Sequence, residues 1–270
     1  MAETTRDTGT DQLLLEVDAD GIALLTFNNP AKRNALSGPI RAALPVALRQ
    51  LADDPGVRVV VVTGAGGKAF VSGADISEFG EQRTSVEARA AYDEQMADTG
   101  RAWAAIGQPI IAMIRGFCIG GGLLTAMNAD IRIASDDSRF GVPAARLGLG
   151  YGYAGVERLM SLVGPAAASE ILFSARRFTA AEAYDMGLVN RVVPTDELEP
   201  QVMELARSIA ANAPMTVAAA KAAIAEASKP AERRDLDKVR AMVEACFRSE
   251  DYREGQAAFM EKRTPVFRGH

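Results

Sequence analysis

Two short, nearly continuous apolar runs constrain the fold of this chain more than any other feature. One covers residues 57–63, in the string VRVVVVTG (57–64), and the other covers residues 109–114. Runs of this kind are typical of strands buried on both faces, as in a parallel sheet. Helical patterns come after them, over residues 85–106 and 123–128. Strands that alternate with helices predict an α/β fold.

The two ends of the chain have different patterns. Residues 13–17 and 22–27 flank the turn signal DADG and predict a β-hairpin. From residue 156 onward the pattern is mainly helical, apart from one strand at 189–193. We therefore predict a core domain over residues 11–195, a C-terminal helical region over 196–270 and a disordered tail over 1–10.

The composition narrows the function classes. The chain has 270 residues and a net charge of −5 without a long basic run, which argues against nucleic acid as a partner. No apolar run reaches the length of a membrane span, and the N-terminus lacks a secretion signal. Cys118 and Cys246 are predicted to be buried free thiols of a cytoplasmic protein. The only histidine is His270, so histidine-dependent triads and zinc sites are excluded and no metal site is predicted.

Two segments, KAFVSGADI (68–76) and GFCIGGGLL (116–124), share one design. Each predicts a buried strand, a glycine-rich turn and the start of a helix. A helix start presents unpaired N–H groups and the positive end of the helix dipole. Two such turns that face each other would hold an oxygen atom that becomes negatively charged during a reaction. From the spacing alone, ordinary turns between strand and helix remain an equal alternative.

Four segments, in this order, resemble the signature segments of the enoyl-CoA hydratase/isomerase, or crotonase, family. They are NNPAKRNALS (28–37), KAFVSGADISEF (68–79), GFCIGGGLLTAMNADIRIAS (116–135) and AFMEKRTPVF (258–267). The resemblance, which starts near residue 13, implies a spiral of ββα units with a C-terminal helical trimerisation region. It also implies an acyl-CoA substrate, a homotrimer or dimer of trimers, and no tightly bound cofactor besides the coenzyme A of the thioester.

The resemblance assigns roles to individual residues. It places the two oxyanion donors on the backbone N–H groups of Ala74 and Gly121. The coenzyme A contacts that it implies are Lys32, Arg33, Ala35, Leu36, Ser72, Ala74, Asp75 and Ile76, with Phe259 and Lys262 reaching the nucleotide end from a neighbouring subunit.

The chain departs from the family pattern at both catalytic carboxylates. Family hydratases have a glutamate three residues after the middle glycine, where this chain has Leu124. They have a second glutamate after the proline of the next loop, where this chain has Ala144. A general acid or base contributes about 10²–10⁴ in rate. Without both glutamates, hydration by the two-glutamate mechanism is not expected. The lack of the second glutamate also argues against the isomerase reaction of the family.

Tyr151, in the string LGLGYGYAG, is the candidate for proton transfer. Its position resembles an LG-x-x-Y arrangement in the methylmalonyl-CoA decarboxylases of the family, and Tyr153 follows it. Decarboxylation needs an oxyanion hole and one weak acid. Those decarboxylases, however, have a histidine where this chain has Ala74. A packing role for Tyr151 is the alternative.

Other charged residues have plainer interpretations. Asp75 is expected to cap the helix after the oxyanion turn. Glu78 and Glu81, on the same short helical segment, are expected to be exposed, with an approach to the acyl pocket as the alternative. Glu157 is interpreted as a surface charge that suits the start of a helix. Arg146 either holds an acidic acyl group or pairs with a nearby acid.

Two rival function classes remain to be weighed. Residues 150–155 fit G-x-G-x-x-G, but a proline and an arginine stand where the preceding strand of a dinucleotide site should be. The string GAGGKA lacks the spacing and the hydroxyl residue of a phosphate loop. A protein that binds acyl-CoA without turnover stays open as a second alternative.

Overall fold

The computed structural model describes residues 4–75, 78 and 85–270 of the chain. The strands are β1 (Thr4–Arg6), β2 (Leu13–Val17), β3 (Ile22–Phe27), β4 (Val59–Gly64), β5 (Ala69–Val71), β6 (Ile110–Ile114), β7 (Phe117–Ile119), β8 (Ile131–Ser135), β9 (Arg139–Gly141), β10 (Phe178–Thr179) and β11 (Arg191–Val193). The helices are α1 (Gly38–Ala52), α2 (Val86–Ala105), α3 (Gly121–Met127), α4 (Tyr153–Ser174), α5 (Ala180–Asp185), α6 (Leu198–Ala210), α7 (Pro214–Ala227), α8 (Leu236–Arg248) and α9 (Glu250–Glu261).

The strands form two sheets. The seven-stranded sheet has the order β1-β2-β3-β4-β6-β8-β11, and the four-stranded sheet has the order β10-β9-β7-β5. The strands from β3 to β11 of the large sheet are parallel, whereas β1, β2 and β3 pair antiparallel. All five residues of β6 are buried, as expected for a strand covered on both faces. The predicted α/β fold is confirmed.

Successive ββα units explain how one chain fills both sheets. The pairs β4–β5, β6–β7 and β8–β9 each send one strand to the large sheet and the next to the small sheet. Helix α3 follows the β6–β7 pair and α4 follows the β8–β9 pair. Because β5, β7 and β9 are parallel, the turns that leave β5 and β7 emerge at the same edge of the small sheet. This edge is where the two glycine-rich turns meet.

Helices cover both faces of the large sheet. On one face, Leu198, Val202 and Ala206 of α6 pack against Val59 and other residues of the sheet. On the other face, the apolar side of α1 joins the main core. The first helix of the predicted C-terminal region therefore covers the core sheet, while α7, α8 and α9 follow it in the chain. The trimerisation role of that region stays a prediction.

The N-terminal segment differs from the predicted disordered tail. Residues 4–6 form β1, which pairs antiparallel with β2 from Thr4 opposite Val17 to Arg6 opposite Leu15. The guanidinium of Arg6 also forms an ion pair with Asp54. The prediction of a disordered tail is wrong for these residues, because an edge strand supplied partners that composition alone does not reveal.

Both cysteines are free thiols, as predicted, but only Cys118 is fully buried. Cys118 lies wholly inside the core, and burial raises the pKa of its thiol well above the ordinary value. Cys246 is half-buried.

Among the described residues, no helix combines the length and apolar character needed to cross a bilayer.

Candidate active site

The turn after β5 holds the amide of Ala74 in a fixed orientation. The N–H of Leu36 donates to the carbonyl oxygen of Gly73 at 2.8 Å, and the N–H of Asp75 donates to the carbonyl oxygen of Leu36 at 3.4 Å. This parallel bridge uses the groups on either side of Ala74, so the N–H of Ala74 faces away from Leu36. Gly73 has a φ of 110°, a conformation that suits only glycine.

The start of α3 supplies the second amide. Gly121 is the first residue of this helix, so its N–H lacks a partner within the helix. The preceding residue, Gly120, has φ 55° and ψ −116°, and its N–H donates to the carbonyl oxygen of Gly141. A Cβ built on Gly121 would lie 3.6 Å from the nitrogen of Ala74. In the described ranges, neither amide has a protein acceptor, and the two turns lie next to each other. Their role as a pair of oxyanion donors stays a prediction.

Close packing between α3 and β5 keeps the two turns together. A Cβ built on Gly122 would lie 1.9 Å from the carbonyl oxygen of Val71, a distance that no side chain tolerates. Glycine at this position lets the first turn of α3 lie directly on the β5 backbone. The third consecutive glycine therefore has a packing role that the sequence analysis did not assign.

The residues predicted to contact coenzyme A lie mainly along two adjacent segments. The N–H of Ser72 donates to the carbonyl oxygen of Arg33 at 3.2 Å, which joins the segment after β5 to the segment before α1. Ala35 and Leu36 are buried, whereas Lys32 and Arg33 are exposed. Both a buried apolar wall and exposed cations are therefore present beside the two turns. Ile76 lies outside the described residues.

Lys32 and Asp75 form an ion pair across these segments. The Lys32 Nζ lies 2.7 Å from Asp75 Oδ2, and the Asp75 side chain is almost wholly buried. This hydrogen bond raises the pKa of Lys32 above its ordinary value. Asp75 therefore has a partner far away in the chain, while the helix cap predicted for it concerns residues outside the described ranges and stays a prediction.

Glu78 is not an exposed charge, and that expectation was wrong. Its side chain is 26% exposed, and its two carboxylate oxygens accept from the N–H of Gly38 at 3.0 Å and from Arg41 Nη2 at 2.8 Å. The hydroxyl of Ser37, at the N-cap position of α1, donates to Gln12 instead of accepting from the helix. Glu78 thus fills the place of a missing N-cap. Glu81 lies outside the described residues.

The two positions at which the resemblance predicted missing carboxylates are apolar. Leu124 and Ala144 are partly buried and pack against the main core, as does Tyr151. A Cβ built on Gly155 would lie 3.0 Å from both Leu124 Cδ2 and Tyr151 Cε1, so Leu124 and Tyr151 flank the same point of α4. Pro143 lies beside Gly120, which brings the Ala144 segment close to the α3 turn.

The hydroxyl of Tyr151 is buried and has no hydrogen-bond partner among the described residues. Burial raises the pKa of this phenol well above its ordinary value, so the neutral form is favoured. A buried hydroxyl without a partner costs free energy. Both the candidate proton donor and its packing alternative are compatible with this position.

The structure also shows the surroundings of Arg146, Glu157 and the glycine motif at residues 150–155. Arg146 and Glu157 are both exposed, and Glu157 accepts from the hydroxyl of Tyr153 at 3.3 Å. The segment before residues 150–155 is a 3₁₀ turn, Pro143–Leu147, and not a strand. The chain therefore lacks the strand that a dinucleotide-binding glycine motif requires at this place.

Phe259 and Lys262 lie at the end of α9, in the C-terminal region. Phe259 is 83% exposed, and Lys262 is also exposed. Phe259 borders a groove of about 800 Å³ between α7, α8 and α9. The large apolar side chains along this groove are Val243, Phe247, Tyr252, Phe259 and Phe267.

The sequence analysis missed Arg41. Its neighbours on the inner face of α1, Ile40 and Leu44, are apolar, yet Arg41 is itself only 6% exposed. A charged residue at a core-facing position is a signal for a specific partner, because an unpaired buried charge is costly. The partners, Leu36 and Glu78, were not predictable from spacing.

Comparisons with known proteins agree on one family. The family model for enoyl-CoA hydratase/isomerase matches residues 18–270. The chain is 36% identical to the crotonyl-CoA hydratase of Syntrophomonas wolfei, over 95% of this chain and 98% of that protein. It is 38% identical to the short-chain-enoyl-CoA hydratase of Clostridium acetobutylicum, over 90% of this chain and 92% of that protein.

A solved structure of an enoyl-CoA hydratase/carnithine racemase from Magnetospirillum magneticum is similar throughout. It superimposes with a TM-score of 0.89 at 38% identity, over 96% of each chain. Sequence and structure comparisons therefore cover the same, nearly complete length of this chain.

Proposed function

We propose, because this chain belongs to the enoyl-CoA hydratase/isomerase family, that it is an enzyme that activates acyl-CoA thioesters between two backbone amides. The N–H groups of Ala74 and Gly121 would donate to the thioester oxygen as negative charge develops on it. The observation that carries the proposal is the position of these two amides, which lie on adjacent turns and have no protein acceptor in the described part of the chain.

The same proposal places coenzyme A along the segments on either side of the Leu36–Ala74 bridge. Lys32 and Arg33 supply exposed positive charge for phosphate groups, and Ala35 and Leu36 supply an apolar wall. Phe259 and Lys262 would contact the nucleotide end from a neighbouring subunit of a homotrimer or a dimer of trimers. The exposed apolar groove beside Phe259 supports such an assembly, since large exposed apolar patches are typical of interfaces. The free thiols support a cytoplasmic location.

The proposed reaction is not hydration by two carboxylates. Leu124 and Ala144 place apolar groups where the family pattern has glutamates, and both pack against the core. Neither side chain is able to deprotonate water or to protonate a carbon atom. We infer that the thioester-activating half of the site operates here with a different source of protons.

The second candidate reaction is decarboxylation with Tyr151 as proton donor. The bond between Cα and the carboxylate of a substituted malonyl-CoA breaks and CO₂ leaves. The electron pair of the broken bond stays on the thioester as an enolate, whose oxygen accepts hydrogen bonds from the N–H groups of Ala74 and Gly121. The Tyr151 phenol then protonates Cα and regains its proton from water. The buried hydroxyl without a partner among the described residues favours this role. Binding of acyl-CoA without turnover is the remaining alternative.

Product analysis separates these candidates. The purified protein is titrated with free coenzyme A and acyl-CoAs, then incubated with crotonyl-CoA and with methylmalonyl-CoA, and the products are identified by mass spectrometry. Turnover of methylmalonyl-CoA to propionyl-CoA supports decarboxylation. Rapid hydration of crotonyl-CoA contradicts the inference from Leu124 and Ala144. Tight binding without any product supports the binding protein, and absence of binding contradicts the whole proposal.

A further inference from the structure

We propose that Arg41 is a positioning residue that orients the Ala74 amide through the carbonyl group of Leu36. This inference rests on the proposed function, because it concerns the same pair of amide donors. Arg41 touches neither amide directly. It acts through a chain of hydrogen bonds that starts at its guanidinium and ends at the turn after β5.

The first link joins Arg41 to the bridge. Arg41 Nη1 donates to the carbonyl oxygen of Leu36 at 2.7 Å, inside the protein. The same oxygen accepts from the N–H of Asp75 at 3.4 Å, on the residue directly after Ala74. The plane of the peptide bond that Leu36 shares with Ser37 is therefore held by a charged donor. Charge-assisted hydrogen bonds of this kind are shorter and stronger than neutral ones.

The second link fixes the guanidinium itself. Arg41 Nη2 donates to Glu78 Oε2 at 2.8 Å, and Glu78 Oε1 accepts from the N–H of Gly38 at 3.0 Å. The guanidinium carbon also lies 5.8 Å from the ring centroid of Tyr92 on α2. A planar guanidinium with partners on two sides has little freedom to rotate. One guanidinium thus links helix α1, the Glu78 carboxylate and the Leu36 carbonyl.

The third link reaches both amide donors. Leu36 holds Gly73 through its own N–H at 2.8 Å, while its Cδ1 lies 3.1 Å from a Cβ built on Gly121. A shift of the Leu36 backbone would therefore alter the spacing between the Ala74 and Gly121 turns. Displacements of about 1 Å in a catalytic geometry cost up to about 10²-fold in rate. The buried arginine is placed to prevent this displacement.

The experiment measures polarisation of a bound thioester, so it does not depend on knowing the reaction. The probe is a cinnamoyl-CoA with a para-dimethylamino group, whose absorption moves to longer wavelength when hydrogen bonds polarise its carbonyl group. We expect the wild-type protein to produce this red shift. In Arg41→Met the shift should fall to less than about half, because the amide donors are misaligned. The dissociation constant of free coenzyme A should stay within about threefold of wild type.

Two further variants keep the inference falsifiable. Arg41→Lys supplies one charged donor but not the planar pair, so part of the red shift should return. Glu78→Gln retains an acceptor for the N–H of Gly38 while weakening the hold on the guanidinium, and should give an intermediate loss. These variants test the inference even if Arg41→Met proves to be unfolded in a thermal melt.

Arg49→Met is the matched control. Arg49 lies on the same helix and, like Arg41, contacts α2, through an ion pair with Asp98 at 2.5 Å. Among the described residues, no hydrogen bond or ion pair joins Arg49 to the turns that carry Ala74 and Gly121. Its red shift should equal that of wild type. A full red shift in folded Arg41→Met, or in both Arg41→Lys and Glu78→Gln, overturns the inference. Absence of binding or of a red shift in the wild type contradicts the proposed function instead.

Discussion

The two halves of the candidate active site are built on different principles. The half around Ala74 and Gly121 consists of backbone groups, which glycine geometry and a parallel bridge hold in place. The half around Leu124, Ala144 and Tyr151 consists of side chains, and its surroundings are apolar. Backbone donors survive most substitutions, whereas proton-transfer groups are lost by a single change of residue. The comparison suggests how a scaffold retains thioester activation while its proton chemistry changes.

The largest expected effect comes from returning carboxylates to the apolar half. The double variant Leu124→Glu/Ala144→Glu should raise the rate of crotonyl-CoA hydration by about 10²–10⁴-fold, the range for adding a general acid or base. The rate is followed by loss of the enoyl absorbance. The matched control, Leu124→Gln/Ala144→Gln, adds similar volume without a titratable group and should give no gain. An unchanged rate in a folded, acyl-CoA-binding double variant would show that these positions do not face the acyl group.

A proline at the start of α3 tests the other half. Gly121→Pro removes one amide donor at a helix position where proline is favoured. Because its Cβ would lie 3.1 Å from Leu36 Cδ1, a thermal melt first checks that the variant is folded. We expect turnover of the acyl-CoA that the product analysis identifies as substrate to fall by about 10²–10³-fold, the usual cost of one oxyanion donor. Leu236→Pro, at the first position of α8, is the control and should leave the rate unchanged. Full activity in folded Gly121→Pro would exclude this amide from the mechanism.

The Tyr151 hydroxyl tests whether the apolar half retains any proton chemistry. Tyr151→Phe should lower the rate of methylmalonyl-CoA decarboxylation by about 10²-fold, the lower range for a general acid. The dissociation constant for coenzyme A should not change. Tyr153→Phe is the control, since that hydroxyl contacts exposed Glu157. Equal decarboxylation rates in wild type and Tyr151→Phe would leave Tyr151 with a packing role.

The smallest expected effect concerns stability. At pH 8, Tyr151→Phe should raise the free energy of unfolding by about 1 kcal/mol, because a buried hydroxyl loses its desolvation cost. Burial raises the pKa of Tyr151 in the folded protein, so deprotonation costs more in the folded than in the unfolded state, and the free energy of unfolding falls as the pH rises above about 10. Urea unfolding at pH 8 and pH 10.5 should therefore show a larger pH-dependent loss for wild type than for Tyr151→Phe. Equal losses would contradict the raised pKa.

Local patterns in the sequence predicted the elements well. The apolar run at 109–114 corresponds to β6, and the glycine-rich turn after it leads into α3 as expected. These features depend on residues close together in the chain, so periodicity and turn residues report them directly. The pairing of residues 4–6 with β2 depends on an edge that composition does not encode.

Long-range partners were the part that the sequence did not reveal. Asp75 pairs with Lys32, and Glu78 pairs with Arg41, across 43 and 37 positions of the chain. A carboxylate after a turn suggests a local helix cap, and only the tertiary structure shows that a cation distant in the chain pairs with it. The prediction that Leu124 and Ala144 stand in place of the two family glutamates, by contrast, came from the sequence alone and stays a prediction.

The contact between Glu78 and the first turn of α1 has a consequence for the order of folding. Helix α1 has no N-cap side chain of its own, and its acceptor for the Gly38 N–H arrives 40 positions later in the chain. The first turn of α1 therefore gains this acceptor only when Glu78 has reached its final position, which makes a local element depend on a non-local contact. Hydrogen exchange at the Gly38 N–H should then report how often the contact with Glu78 opens. A helix that takes no part in the proposed chemistry would thus give a measure of local opening beside the candidate site.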